Sequence, residues 1–170
     1  NQWKFFPSAA IAWRVNQENF LKDVKLISNL KLRLSYGLTG NQSIGYVAAV
    51  ATMNHNRVPV SGSASHGMVP GTLGNPDLGW ENTASYNAGI DLSLYNNRYR
   101  LTVDLYKRVT KDLLVNFGLP PSAGYGSIPV NLGQISNKGV EIEVAADILT
   151  DTPVKLSVNA NWYLNRNNVD

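Results

Sequence analysis

Apolar and polar residues alternate one by one along much of this 170-residue chain. Successive side chains of an extended strand point to opposite faces, so a period of two marks strands with one apolar and one polar face. The sequence therefore predicts an all-β protein. Six segments show the pattern: Ser8–Val15, Leu30–Leu38, Ala84–Leu94, Tyr99–Thr110, Val140–Ile148 and Val154–Leu164.

A tight turn joins the third and fourth of these segments. Asn96 and Asn97 lie between them, and asparagine tolerates the positive φ that a two-residue type I′ turn requires. With these two residues as the loop, Leu94 faces Tyr99, and apolar residues then meet apolar residues along both strands. The sequence thus predicts an antiparallel hairpin in this register.

The connections between the strands alternate in length. Residues 39–83 and 113–136 form two long connections rich in Gly, Ser, Asn and Pro, and the pattern assigns no internal structure to the first. The connection Leu149–Pro153 is short. An up-and-down meander therefore puts both long connections at one rim and the short ones at the other. The remaining connection, Gln17–Ser28, is compatible with a short helix capped by Asn16, with an apolar side formed by Phe20, Leu21 and Val24.

Two architectures fit such strands: a soluble β-sandwich, whose apolar faces form a core, and a transmembrane β-barrel, whose apolar face meets lipid. The strands are about 9 to 12 residues long, as tilted strands that cross a bilayer must be, whereas soluble strands cluster near 5 or 6. The opposite face is polar along its length, which suits a wide water-filled lumen. Aromatic residues near the strand ends also fit two interfacial girdles, with Trp13 and Tyr99 at the short-turn rim and Tyr36, Tyr86 and Trp162 at the long-loop rim.

Charge and cysteine content exclude several functions. The 15 basic and 12 acidic residues give a net charge of +3 and are scattered, which argues against a nucleic-acid partner. The absence of cysteine removes disulfides, thiolate metal sites and cysteine nucleophiles. No run approaches the roughly 20 apolar residues of a membrane-spanning helix, and no signal-peptide pattern opens the sequence.

Short strings follow one another in a definite order along nearly the whole chain. They are Phe6-Pro7-Ser8-Ala9-Ala10 with Trp13-Arg14-Val15, Ser28-Asn29-Leu30-Lys31-Leu32-Arg33 with Ser35-Tyr36-Gly37 and Thr39-Gly40-Asn41-Gln42, Asn75-Pro76-Asp77-Leu78-Gly79-Trp80-Glu81, Asn96-Asn97-Arg98 with Leu101-Thr102-Val103-Asp104, Asp112-Leu113-Leu114, and Asn131-Leu132-Gly133 with Asn137-Lys138-Gly139-Val140-Glu141. No single string is diagnostic. In this order, the set resembles the C-terminal part of the barrel in SusC/RagA-type TonB-dependent transporters.

This resemblance implies an antiparallel up-and-down transmembrane β-barrel of about 22 strands with an internal plug, of which these six strands form about a quarter. Residues 1–170 would be part of the barrel domain, without the plug, the signal peptide or the C-terminal strand. Such transporters lie in lipid of the Gram-negative outer membrane, with long loops outside the cell. They import oligosaccharides or peptides with a SusD-like surface lipoprotein and with energy from the TonB complex. The alternative is a soluble or surface-displayed β-sandwich that binds carbohydrate.

The sequence indicates no enzyme, no cofactor and no metal site. His55 and His66 lie in the first long loop without carboxylates at metal-ligand spacing. Glu141 and Glu143 share one strand face about 7 Å apart, but nothing encloses them, so we interpret them as lumen wall. The segment Gly118–Gly126 lacks the spacing of a nucleotide-binding loop.

Trp80 and Tyr125 are the loop aromatics best suited to contact a substrate or a partner, since a flat ring offers apolar area to a sugar face at low entropic cost. Trp80 also has a structural interpretation. It stands in the string Asn75–Glu81 just before a strand, where it would anchor the loop base or the outer interface. We therefore predict two candidate contact residues and no catalytic residue.

Overall fold

The computed structural model describes residues 3–43, 48–60, 63–150 and 153–170. The all-β prediction is confirmed. In the part of the chain that the structure describes, no helix is long and apolar enough to cross a membrane. The strands are β1 (Ser8–Arg14), β2 (Ile27–Asn41), β3 (Met53–Val60), β4 (Ser63–Pro70), β5 (Glu81–Leu94), β6 (Tyr99–Lys111), β7 (Leu114–Gly118), β8 (Ser127–Asn131), β9 (Gln134–Leu149) and β10 (Leu156–Val169).

Six strands form one antiparallel sheet in the order β1-β2-β5-β6-β9-β10. These are the six strands that alternation predicts. Within this set, each strand pairs with the one that follows it in the sequence. The up-and-down meander is therefore confirmed. The other four strands form two separate hairpins, β3 with β4 and β7 with β8.

The chain divides into two compact units. The first, here called the loop unit, comprises Asn1–Lys4, Gly40–Asn82 and Thr110–Gln134. The second, here called the sheet unit, comprises Phe5–Thr39, Thr83–Val109 and Ile135–Asp170. Both small hairpins lie in the loop unit, so the long connections contain strands that the alternation pattern did not reveal.

Several strands extend further than predicted, because the backbone ladder continues where the apolar alternation ends. β10 pairs with β9 up to Val169 opposite Ile135, beyond the predicted end at Leu164. Most of the added pairs are polar, such as Asn167 opposite Asn137. Backbone hydrogen bonds do not depend on which face is apolar, so a strand with two polar faces carries no period-two signal.

The predicted turn between β5 and β6 is confirmed. Asn96 and Asn97 have φ values of 55° and 65°, and the Arg98 amide donates to the Tyr95 carbonyl at 3.1 Å. Tyr95 also has positive φ, at 49°, which the sequence did not predict. The Tyr95 amide donates to the carbonyl of Leu26 at 3.0 Å, and this hydrogen bond links the turn to the connection between β1 and β2. Of the other predicted short turn, residues 151–152 lie outside the described part of the chain.

The helix predicted within Gln17–Ser28 is wrong. A short 3-10 turn at Val15–Gln17 is followed by further turns. The Asn16 side chain does not cap a helix: its amide nitrogen donates to the Ser28 carbonyl at 3.4 Å. Phe20 is 68% exposed. A helix this short is marginal in water unless its apolar side packs against something, and here Phe20 and Val24 of that side stay exposed.

The apolar face of the sheet unit is exposed rather than packed as a core. Ile11 and Leu34 are 67% and 58% exposed, and the aromatic Trp13, Tyr36, Tyr86, Tyr99 and Trp162 are also exposed. Among the described residues, the buried hydrophobic side chains are Val15 and Ala145. A soluble sandwich would bury this face against a second sheet. The exposure favours the alternative in which lipid covers it.

Candidate functional site

Three charged residues meet on the polar face of the sheet unit. Arg33 of β2 donates two hydrogen bonds to Asp91 of β5, each 2.9 Å long, and its guanidinium lies 3.0 Å from an Asp104 carboxylate oxygen of β6. Alternation explains the grouping, because the three side chains point to the same face of consecutive strands. A guanidinium that bridges two carboxylates holds all three side chains in a fixed arrangement.

Gly89 provides the space for this bridge. A Cβ at this position would meet the Asp104 carboxylate and would lie 2.7 Å from Arg33 Nη2. The proximity of Gly89 and Asp104 agrees with the register predicted from the hairpin turn, which places these two residues opposite each other.

A tyrosine and a glycine form a second fixed feature of the polar face. The Tyr106 hydroxyl of β6 donates to the side-chain oxygen of Asn165 in β10. To reach it, the tyrosine passes over β9 at Gly139, where a Cβ would lie 2.7 Å from the Tyr106 hydroxyl and 2.6 Å from the Leu164 carbonyl oxygen. Three strands are thus linked through one side chain, and only glycine leaves room for it.

Beside these features lies a polar hollow of about 610 Å³. Its wall carries both signs of charge and several amide groups, including Arg33, Asn87, Asp104, Arg108 and Glu141. Such a surface offers hydrogen-bond donors and acceptors to a polar solute that contacts it. Glu143 lines a smaller hollow with Glu141, and their interpretation as lumen wall stays a prediction.

The string Asn75–Glu81 holds the loop unit together. The Asn131 side chain brackets Gly79, accepting from its amide at 2.6 Å and donating to its carbonyl at 3.0 Å. The same amide group donates to the Asp112 carbonyl at 2.8 Å. Glu81 accepts from the Asn41 side chain at 2.7 Å and from the Leu114 amide at 2.8 Å. The string therefore connects three segments that are distant in sequence.

Trp80 and Tyr125 both lie in the loop unit and are half-buried. Trp80 stands between Gly79 and Glu81, which are each fixed by hydrogen bonds, and this position agrees with an anchoring role. Tyr125 follows a 3-10 turn at Pro121–Ala123 in the connection between β7 and β8. The two residues come from different segments, and their role as contacts stays a prediction.

His55 and His66 lie on the β3–β4 hairpin. His55 is paired with Met68 and Arg57 with His66, so these side chains share one exposed face. In the described part of the chain, no group of three or more His, Cys, Asp or Glu residues could hold a metal ion. Gly118–Gly126 spans the end of β7 and the connection to β8.

Sequence reasoning placed Arg33 and Asp104 on the polar face but did not pair Arg33 with both aspartates. The sequence does not define which residues of β2 and β5 lie opposite each other, because the long connection between these strands has no turn signal that fixes their register. The contact between Tyr106 and Gly139 could not be predicted either. It depends on the register between β6 and β9, which are also joined by a long connection.

Comparison with known proteins identifies the architecture. A family model described as TonB dependent receptor-like, beta-barrel matches residues 1–170. A TonB-dependent receptor of Formosa agariphila is 39% identical over 98% of this chain, and the TonB-dependent receptor SusC of Bacteroides thetaiotaomicron is 35% identical over 97%. The solved structure of the RagAB peptide importer in an open-open state superposes with a TM-score of 0.84, at 30% identity, over 99% of this chain.

The match covers a small part of each relative. This chain spans 16% and 17% of the two receptors and 18% of the RagAB chain. The predicted resemblance to SusC and RagA is confirmed, and the exposed apolar face agrees with an outer-membrane location. The chain belongs to the TonB-dependent receptor-like β-barrel family.

Proposed function

We propose that this chain forms part of the wall of an outer-membrane importer, which takes up an oligosaccharide or a peptide with energy supplied through TonB. The family match and the two-faced sheet carry this proposal together. One face exposes aliphatic and aromatic side chains, and the other carries the Arg33 bridge and the polar hollow. A barrel wall between lipid and a water-filled lumen requires these two surfaces.

The ten strands would then divide by role. The six strands of the large sheet span the membrane as about six of the roughly 22 strands of the complete barrel. Residues 1–170 form only part of that barrel domain. The long connections that hold β3, β4, β7 and β8 lie at the extracellular rim, because outer-membrane barrels place their long loops outside the cell.

The loop unit would meet the substrate and a SusD-like surface lipoprotein. Its hydrogen-bonded string Asn75–Glu81 supports this assignment, since a rigid scaffold can present contact residues in a fixed position. Trp80 and Tyr125 are the proposed contacts, each with a ring that could stack against a sugar or pack against a peptide side chain.

The substrate class needs an experiment. Among the similar proteins, the RagAB structure is named as a peptide importer, and the name of the receptor SusC states no substrate. The complete parent protein and its lipoprotein would be produced in a Gram-negative host. Uptake of fluorescent oligosaccharides and of fluorescent oligopeptides would be measured with and without a protonophore that abolishes TonB energisation. We expect energy-dependent uptake of one class, while uptake of neither would contradict the proposal.

Aromatic variants test the two contact residues. We expect Trp80→Ala and Tyr125→Ala to weaken substrate or lipoprotein binding by about 1–3 kcal/mol if the rings stack on their partner. Phe117→Ala is the matched control, because Phe117 is an exposed aromatic residue of the same unit. An equal effect of all three substitutions, with unchanged folding, would contradict the assignment.

A further inference from the structure

The apolar face of the sheet unit contains a hollow of about 560 Å³. Its floor includes the small residues Ala9 and Ala88, and larger side chains surround them, among them Ile11, Leu34 and Leu105. Small residues beside large ones leave a gap that no described side chain fills. The gap is apolar and open to the side on which this sheet meets lipid.

Two tyrosines border the same hollow. The rings of Tyr36 and Tyr86 lie 5.0 Å apart between centroids, at an interplanar angle of 43°. Both side chains are exposed and both line the hollow. Tyrosine prefers the boundary between hydrocarbon and headgroups, because its ring is apolar and its hydroxyl can meet polar groups.

A lysine lies at the same place. Lys107 lines the hollow, and alternation along β6 puts its side chain on the face of Leu105, since Asp104 and Tyr106 bond on the polar face. Lys107 is exposed and forms no ion pair within the described part of the chain. A cation on a lipid-facing surface is costly unless its ammonium group reaches the interface or an anion.

We propose that this hollow binds one anionic, phosphate-bearing lipid, with an acyl chain against Ala9 and Ala88 and the phosphate paired with Lys107. Each part of the site matches a part of this ligand. The hollow accepts hydrocarbon, the ammonium group supplies the opposite charge, and the two tyrosine hydroxyls can donate to phosphate or ester oxygens.

Charge complementarity favours a lipid over the other occupants of such a surface. A second copy of this chain in a two-fold contact would present the same face, so that two Lys107 side chains would approach each other. An apolar peptide would fill the hollow but would leave the lysine without an anion. An anionic lipid satisfies both requirements and is already present in the surrounding membrane.

The test uses the complete parent protein, purified in detergent and stripped of lipid. Phosphatidylglycerol and phosphatidylcholine with identical acyl chains would be added in equal amounts, and bound lipid would be counted by native mass spectrometry. We expect one retained phosphatidylglycerol in preference to phosphatidylcholine. No preference between the two lipids, or no retained lipid, would overturn the proposal.

Variants separate the two parts of the site. We expect Lys107→Gln to weaken phosphatidylglycerol binding about fivefold, the contribution of a single lysine near an anionic lipid, and to leave phosphatidylcholine unchanged. Ala88→Leu fills the hollow and should reduce retention of both lipids. Arg108→Gln is the matched control, since it removes a cation from the next residue on the opposite face and should have no effect.

Other outcomes would identify a different explanation. If Lys107→Gln lowers the preference but Ala88→Leu does not reduce retention, Lys107 only reaches the headgroup layer and the hollow is not a lipid site. If Ala88→Leu instead abolishes a dimer, the occupant is a second copy and the proposal is wrong. Ala9→Leu, at an exposed position on the other side of the hollow, replaces Ala88→Leu if the latter fails to fold.

Discussion

Placing an arginine at Ile90 should impair assembly of the barrel in lipid. Ile90 is exposed on the apolar face of β5. It lies four residues from Tyr86 in one direction and four from the end of the strand at Leu94 in the other. Four residues span about 13 Å along a strand. At a tilt of about 40°, this is about 10 Å along the membrane normal, which puts Ile90 near the middle of an apolar band about 25 Å tall.

The expected cost follows from that depth. Arginine on the lipid face near the midplane destabilises a transmembrane barrel by about 2–4 kcal/mol. The folding equilibrium should therefore fall by roughly 30- to 700-fold. Urea-dependent folding of the complete parent protein into phospholipid vesicles would measure the difference between Ile90→Arg and the parent.

Asn87→Arg on the same strand is the control. Asn87 is exposed on the polar face and donates one hydrogen bond to Ser35 at 3.1 Å, so its loss should cost about 1 kcal/mol or less. Equal destabilisation by the two substitutions, or none by Ile90→Arg, would refute the reasoning that β5 has one lipid face and one water face.

Three further predictions concern the fixed contacts, and each is checked on the complete parent protein. Gly139→Ala should lose about 1–3 kcal/mol in urea unfolding because of overpacking, whereas Gly118→Ala, with nothing within 4 Å of the new Cβ, should not. Arg33→Met should lose about 1–2 kcal/mol, because Asp104 loses its ion partner and Asp91 keeps Lys31 at 3.9 Å, and the loss should shrink in high salt, because screening weakens the repulsion between the two carboxylates. Asn131→Leu should make the loop unit more sensitive to limited proteolysis, unlike the exposed control Asn116→Leu.

The spanning strands could be predicted because a single physical requirement governs them. One face must be apolar and the other polar, and a tight turn must carry positive φ, as Asn96 and Asn97 do. These are local properties, so period and turn chemistry were sufficient. The sheet order then followed from the meander.

The loop unit could not be predicted in the same way. The β3–β4 and β7–β8 hairpins are small and interrupted by proline and glycine, such as Pro59, Gly67 and Pro129, so alternation is weak there. The placement of the β7–β8 hairpin also depends on hydrogen bonds between distant segments, through Asn131 to Gly79 and through Glu81 to Leu114. Contacts of this kind depend on the tertiary fold, and a single sequence does not show which segments meet.

The candidate site was predicted only in part. Alternation identified the polar face and placed Glu141 on it, but it could not show that Arg33 bridges two strands or that Tyr106 crosses Gly139. The alternation of β6 also puts the cation Lys107 on the apolar face.

The most direct test of the two-faced wall is a scan of five consecutive positions in β10, Val158 to Trp162, because these side chains are exposed and alternate between faces. Single cysteines would be introduced into the parent protein in a cysteine-free background, spin-labelled in lipid vesicles, and tested for collision with oxygen and with a water-soluble nickel chelate. We predict that Val158, Ala160 and Trp162 are accessible to oxygen and that Asn159 and Asn161 are accessible to the chelate. Protection of the first set from both reagents would indicate a packed core and would contradict the membrane-spanning wall.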